Sequence, residues 1–534
     1  MKAMRKSGIL LPVTSLPSPN GIGCFSKEAY EWIDFLKEAG QTYWQVLPLG
    51  PTGYGDSPYQ SFSTFAGNPY FIDLQEFVDR GWLKKREVSS TDFGADPMYV
   101  DYGQIYKVRF RLLKKAYDRS PLALPQAGVA GAAKAAKTAE AKAAKSGKAA
   151  EAAKAAEAEN AALLKEFEAF IAKNTAWLPD YALYSAIKHK QGGRSYIEWP
   201  EKLRRRDEKE LDKQREKLAD EIRFYEFQQF FFSRQWLALK AYANENGIDI
   251  IGDVPIYVAF DSADTWASPE LFQLDEKGFP TAVAGCPPDA FSATGQLWGN
   301  PLYRWDYHKQ TGYSWWMRRL RNCFTWYDVL RIDHFRGFDE YYSIPFGDTT
   351  AEFGHWEKGP GYDFIGTVKK ELKGCRIIAE DLGYLTPSVI RLLKRSGFPG
   401  MKVLQFAFDS REESDYLPHN YPANCVVYTG THDNETMRAW CRVVSRGDYG
   451  FAKRYLGYVP AKTPETAFIR SAMASVADTC VIPVQDYLGL GHEARINTPS
   501  TLGGNWLWRL VPGQLTPELA EEIRRMTKLY GRLQ

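Results

Sequence analysis

The chain has 534 residues, enough for one large domain with insertions or for two to four of ordinary size. Its 68 Lys plus Arg against 65 Asp plus Glu leave a net charge of +3, too small for a broad electrostatic footprint for nucleic acid or an anionic membrane. Aromatic residues make up 14%, with 16 Trp and 31 Tyr, which fits either an aromatic-rich core or ligands with one apolar and one hydroxylated side.

The first predicted strand covers residues 9–13. Lys2, Arg5 and Lys6 precede it, but its apolar part is too short for an export signal and runs into Pro12. A helical pattern over 28–39, with Ala29, Ile33, Phe35 and Leu36 on one face, leads to a second strand at 43–49. Far more chain follows than a helix and two loops need, so residues 50–246 are expected to form a mainly helical insertion subdomain. Within it, 127–162 is almost entirely Ala, Lys and Glu, a composition that favours helix but offers no apolar stripe to bury. Leu163, Leu164, Phe167, Phe170 and Ile171 then restore helical spacing.

A third strand at 248–258 is followed by a Pro- and Gly-rich stretch, 260–313, expected to lie over the site as a loop insertion. Strands at 329–335, 376–382, 401–408, 425–429 and 480–488 complete a set of eight, with a helix at 388–396 built on Val389, Ile390, Leu392 and Leu393. Eight buried strands separated by helices predict an α/β fold, a (β/α)8 TIM barrel formed by 1–49 and 247–534. Large insertions fall mainly after strands 2 and 3, and no separate C-terminal β-sandwich is expected. A doubly wound sheet is the structural alternative, but no Gly-x-Gly-x-x-Gly follows a strand.

Four short apolar runs in or at these strands each break off at a carboxylate: Asp253, Asp333, Glu380 and Asp433. An unpaired ionised acid out of water is strongly disfavoured, so a buried strand ending in one needs a reason. Arg331 and Asp333 lie two apart and face one side, where a guanidinium holds the carboxylate charged. Asp333 is then either a nucleophile or half of a buried ion pair. Glu380 is followed by Asp381, and either could be a general acid with a raised pKa, since strand alternation puts only one at the mouth. Asp433 lies in Thr431-His432-Asp433-Asn434-Glu435-Thr436, a turn suited to sugar hydroxyls or to capping the next helix. Two carboxyls flanking a bond are what glycoside cleavage requires.

Other chemistries fit less well. Seven Cys are scattered without a Cys-x-x-Cys, which points to free thiols in a reducing, cytoplasmic setting and against structural zinc. His334 and His432 stand near acids, but neither His-x-x-x-His nor His-Glu-x-x-His occurs, so neither metal nor other cofactor is expected. No Gly-x-Ser-x-Gly elbow and no membrane-length apolar run occurs.

At these residues the chain resembles the α-amylase superfamily and, within it, glycoside hydrolase family 77, the 4-α-glucanotransferases known as amylomaltases or disproportionating enzymes. The motifs are Gly53-Tyr54-Gly55-Asp56-Ser57-Pro58-Tyr59-Gln60-Ser61, Gly252-Asp253-Val254-Pro255-Ile256-Tyr257-Val258, Pro287-Pro288-Asp289 and Gly295-Gln296-Leu297-Trp298-Gly299-Asn300-Pro301-Leu302-Tyr303, with the Arg331, Glu380 and Asp433 segments. The resemblance implies Asp333 as nucleophile, Glu380 as general acid/base and Asp433 as the residue gripping sugar hydroxyls in the transition state. It further implies Arg331 as the residue that holds Asp333 and Asp253 as a site-shaping acid. Ser57, Tyr59, Gln296, Trp298, His334 and His432 become glucan contacts, with Phe406, Asp409 and Asn497 as weaker ones and Tyr54 at a secondary glucan site. The partners implied are α-1,4-glucans, with the protein a monomer or homodimer. Glu435, where the family often has Asp, and the 127–162 stretch are departures. The acids alone fit an α-1,4-glucan hydrolase of the same superfamily equally well, and a non-catalytic glucan-binding protein could keep the fold.

Overall fold

The computed structural model describes residues 5–53, 55–125, 147–288, 292–383, 385–501 and 503–534. Tyr54, Asp289 and most of the Ala/Lys/Glu stretch lie outside the described residues. Contacts divide the chain into two compact units. One comprises 1–71, 93–105 and 235–534, the other 72–92 and 106–234.

In the first unit, strands β1 (Lys6–Leu10), β2 (Tyr43–Gln45), β3 (Asp249–Val254), β6 (Val329–Ile332), β9 (Arg376–Ala379), β10 (Gly400–Val403), β11 (Cys425–Tyr428) and β12 (Thr479–Pro483) form one sheet in the order β10-β11-β12-β1-β2-β3-β6-β9. Every neighbouring pair is parallel, and the Ala379 N–H donates to the Pro399 carbonyl at 2.9 Å, bringing the last edge back to the first. This is a (β/α)8 barrel, and each predicted strand overlaps one of its eight. Seven of them are shorter than predicted, and β1 keeps the predicted length but starts three residues earlier.

The helices between strands follow their apolar spacing. Helix Lys27–Glu38 buries Ala29, Trp32, Ile33, Phe35 and Leu36. Helix Pro387–Ser396 starts with Thr386 accepting from the Val389 N–H and stops at Gly397, whose φ of 74° a side chain would resist. It buries Val389 and Leu392, whereas Ile390 is half exposed, so that one predicted core position faces water.

The described residues of 260–313 hold more regular structure than a loop. They carry β4 (Ala282–Cys286) and β5 (Gln296–Pro301), which pair antiparallel with β7 (Glu340–Pro345) and β8 (His355–Lys358) as β5-β4-β7-β8 around Val283, Tyr342, Ile344 and Ala351. The described residues after β12 form helices and turns, ending in helix Pro517–Leu529.

The second unit is helical. Its helix Gly147–Lys173 leaves residues 154–162 exposed and buries Leu163 and Phe167, so the change from Ala/Lys/Glu composition to apolar spacing coincides with a change from solvated to packed helix. No helix among the described residues is long and apolar enough to cross a membrane.

Candidate active site

The carboxylates converge at the C-terminal end of the barrel, all within the first unit. Asp253 is on β3, and its fully buried carboxylate accepts from Arg331 Nη1 through both oxygens, at 2.8 and 2.6 Å. Arg331 Nη2 donates to Asp333 Oδ1 at 2.8 Å. Burial opposes the charge on Arg331, but the two acids outweigh it and hold its pKa far above the ordinary value. One guanidinium thus locks the floor acid to the acid one residue past β6. Asp333 is half buried and its own N–H donates to the Val254 carbonyl at 3.0 Å, so the barrel ladder still carries it.

Glu380 follows β9. Its Oε2 accepts the His334 N–H and its Oε1 the Leu382 N–H, both at 2.7 Å. The first bond depends on His334 adopting φ 52° and ψ 49°, a left-handed conformation that is costly for a non-glycine residue and is characteristic of functional sites. Asp381 faces the other way. It is buried, and its Oδ1 accepts the Met401 N–H at 2.6 Å across the seam between β9 and β10. Of the two adjacent acids, Glu380 is therefore the one at the mouth.

The two mouth acids titrate apart. Burial, reinforced by the neighbouring Asp333, pushes Glu380 up to about 8 against the pull of Arg331 and two backbone donors. Burial also pushes Asp333 up to about 6, so the Arg331 guanidinium moderates the rise without reversing it. At neutral pH the pair holds a mostly ionised Asp333 and a mostly protonated Glu380, the split that one attacking and one proton-donating carboxyl need.

The third acid is held from elsewhere. Asp433 Oδ1 accepts from Asn497 Nδ2 at 2.6 Å, Arg495 Nη2 donates to the Asp433 carbonyl at 3.1 Å, and the Asn497 N–H donates to the His432 carbonyl at 3.1 Å. The next helix, Met437–Val443, is capped by Thr436, so Asp433 is free of that task.

Aromatic rings wall the mouth. Tyr59 stacks on His432 at 5.2 Å and donates its hydroxyl to Asp253 Oδ2 at 2.8 Å, and Trp506 lies 5.9 Å from both rings. Trp298 meets His334 edge-on at 4.8 Å and donates to Gln296 Oε1 at 3.1 Å. Burial, with Arg336 adding to it, pushes His334 down to about 3, so its ring stays neutral. Among the described residues, His334 Nε2 and His432 Nδ1 are buried without hydrogen-bond partners. Buried polar atoms normally have partners, so these two are suited to take a ligand's hydroxyls.

The remaining candidates are less tied to this centre. Ser57 Oγ accepts the Tyr59 N–H at 3.3 Å within their own turn. Phe406 packs edge-on against Tyr416 at 5.6 Å. Asp409 closes on Arg411 Nη2 at 2.6 Å, and Arg411 is largely exposed, so that carboxylate is engaged at the surface.

A family profile described as 4-alpha-glucanotransferase, glycoside hydrolase family 77, matches residues 11–515. The chain belongs to glycoside hydrolase family 77. It is 46% identical to the 4-alpha-glucanotransferase of Thermus thermophilus across the whole of both chains. It is also 46% identical to that of Streptococcus pneumoniae over 99% of this chain and 98% of the relative. The solved structure of the amylomaltase from Streptococcus agalactiae in complex with acarbose matches with a TM-score of 0.89 at 39% identity, covering 99% of this chain and 100% of that one.

In this family 77 chain, sequence reasoning passed over Arg495 and Trp506, which hold Asp433 and complete the Tyr59–His432 stack. Trp506 adopts φ 66° directly after Gly503-Gly504-Asn505. An aromatic residue in a glycine-rich turn was the available signal.

Proposed function

We propose that the protein is a retaining 4-α-glucanotransferase that moves a segment of an α-1,4-glucan from a donor to the 4-hydroxyl of an acceptor. The observation that carries this reading is the split pair: Asp333 clamped by Arg331, and Glu380 raised above it with both oxygens fixed by backbone N–H groups.

In the first step an Asp333 oxygen attacks the anomeric carbon of the donor while the glycosidic C–O bond breaks. Glu380 gives its proton to the departing oxygen, so the leaving chain ends in a neutral 4-hydroxyl. In the second step the acceptor's 4-hydroxyl attacks the same carbon and its proton passes to Glu380. The bond to Asp333 breaks, and both acids regain their starting states. Charge develops on the sugar ring in each transition state, and Asp433, His334 and His432 offer hydrogen bonds to its hydroxyls there. Gln296 and Trp298 on β5 restrict the approach of water, which favours an acceptor sugar over hydrolysis.

Incubation with maltotriose tests the reading. Transfer releases glucose and lengthens other chains without a net rise in reducing ends. A rise in reducing ends matching the bonds broken would make the protein a hydrolase instead.

A further inference from the structure

Away from the acids, three phenylalanines from separate parts of the chain meet. Phe260 follows β3, Phe279 sits in the turn closed by the Leu274–Pro280 bridge, and Phe346 follows the end of β7. The Phe346 ring lies 6.5 Å from Phe260 and 6.0 Å from Phe279, yet Phe346 remains 47% exposed. Its backbone is fixed, because the Phe346 N–H donates to the Thr281 carbonyl at 3.2 Å. The result is a braced aromatic cluster in which Phe260 and Phe279 are half-buried and support a Phe346 ring open to solvent.

The segment that carries Phe260 is hydrogen-bonded to elements of the mouth. Two residues before Phe260, the Val258 carbonyl accepts from Asn300 Nδ2 at 2.7 Å, and Asn300 Oδ1 accepts from Gln60 Nε2 at 3.1 Å. Gln60 adjoins Tyr59, and Asn300 lies on the strand that carries Gln296 and Trp298. Three residues after Phe260, the Ala263 N–H donates to the Phe62 carbonyl at 2.8 Å. The elements that bear the mouth's aromatics therefore also brace Phe260.

We propose that the Phe260–Phe279–Phe346 cluster is a docking platform for the distal part of a long α-1,4-glucan, with a pyranose ring resting on the face of Phe346. The proposal rests on the transferase reading above. The C–H face of a glucose unit suits a flat apolar ring, and its hydroxyls stay in water at the edge, so this surface asks for no charged ligand. Its effect is confined to chains long enough to span from the acids to the rim, which makes the enzyme favour long donors.

The test compares wild type with Phe346→Ala, Phe346→Trp and the control Phe353→Ala. Phe353 is 78% exposed and makes no ring contact among the described residues. For Phe346→Ala, the ratio of the amylose KM to the maltotriose KM rises about three- to tenfold, the size of effect one aromatic stack supplies. Phe346→Trp keeps the wild-type ratio or lowers it, and Phe353→Ala leaves it unchanged. An unchanged ratio in Phe346→Ala, or an equal shift in Phe353→Ala, overturns the platform. Retardation in native gels containing amylose reads the same surface without catalysis. Wild type that fails to transfer on maltotriose but is retarded by amylose in a Phe346-dependent way would refute the transferase reading and keep the platform, and loss of that dependence would refute the platform.

Discussion

Two sides of the catalytic mouth are built differently. On the β6–β9 side, Asp333 and Glu380 sit one residue past their strands, and backbone bonds fix them: Asp333 N–H to Val254, Glu380 N–H to Ile332 at 3.0 Å, and the His334 and Leu382 N–H groups to the Glu380 carboxylate. On the β11 side, Asp433 lies in a turn, and the groups that hold it, Arg495 and Asn497, come from a segment beyond β12. The first arrangement fixes the backbone through the sheet, with Arg331 as the one side chain that clamps Asp333, and burial has the largest influence on the protonation states. The second fixes position by side chains, which single substitutions can release. The two acids proposed to exchange bonds and protons stand on the backbone-held side.

The sharpest way to break this contrast is Glu380→Gln. Removing the proton donor should lower kcat for maltotriose disproportionation by roughly 10²- to 10⁴-fold. The pH profile gives the second reading. Glu380 must be protonated to assist departure, so with its pKa pushed up to about 8, kcat/KM of the wild type falls as pH rises through that value. Asp333 must be ionised to attack, so with its pKa pushed up to about 6, activity falls as pH drops below it. The two limbs belong to the pair, and the optimum lies between them. Glu380→Gln should remove the alkaline limb and leave the acid one. An alkaline limb that survives the substitution assigns it to another group and dissolves the division of roles.

Asn497→Ala tests the side-chain-held region. It removes the 2.6 Å hydrogen bond to Asp433 Oδ1 and leaves the strand-borne acids untouched. A hydrogen bond to a charged group contributes about 1.5–3 kcal/mol, so kcat/KM should fall about ten- to hundredfold while both pH limbs stay in place. A change smaller than twofold would mean that the turn holds Asp433 by itself.

The same contrast explains what could be read from the sequence. All eight barrel strands are legible, because each is a short apolar run buried on both sides, and the four acids stand out on that basis, while their roles come from the family resemblance alone. Strand alternation left Glu380 and Asp381 undecided, since it shows that they face opposite ways without showing which side is the mouth. The hydrogen bonds from His334 and Met401 supply that direction. Arg495 carries no local signal, because its partner Asp433 lies more than sixty residues earlier, and the glycine-rich turn before Trp506 marks an unusual backbone without disclosing the contact with His432. Burial is likewise not fully encoded by local spacing. Ile390 fits the helical stripe but faces water, and Asp333 stays mostly ionised at neutral pH as expected, but burial raises it further than the Arg331 guanidinium lowers it. The 260–313 stretch reads as loop because its Gly and Pro residues hide two strands, β4 and β5, which pair with each other and, through β4 alone, with β7 later in the chain.

The smallest catalytic effect is expected from Asp381→Ala, although this carboxylate is adjacent to Glu380. Its oxygen is the acceptor for the Met401 N–H at 2.6 Å on the β9–β10 seam, and Gly400 leaves room for it: a Cβ there would come within 2.6 Å of Asp381 Oδ2. Truncation leaves a buried donor without its partner and should destabilise the fold by about 1–3 kcal/mol, seen as a lower urea midpoint. The pH limbs and kcat should stay close to wild type, because Glu380 keeps both of its backbone donors. If Asp381→Ala instead shifts the alkaline limb, the seam acid is coupled to the mouth, and the strand-borne side is less insulated from its surroundings than its backbone bonds imply.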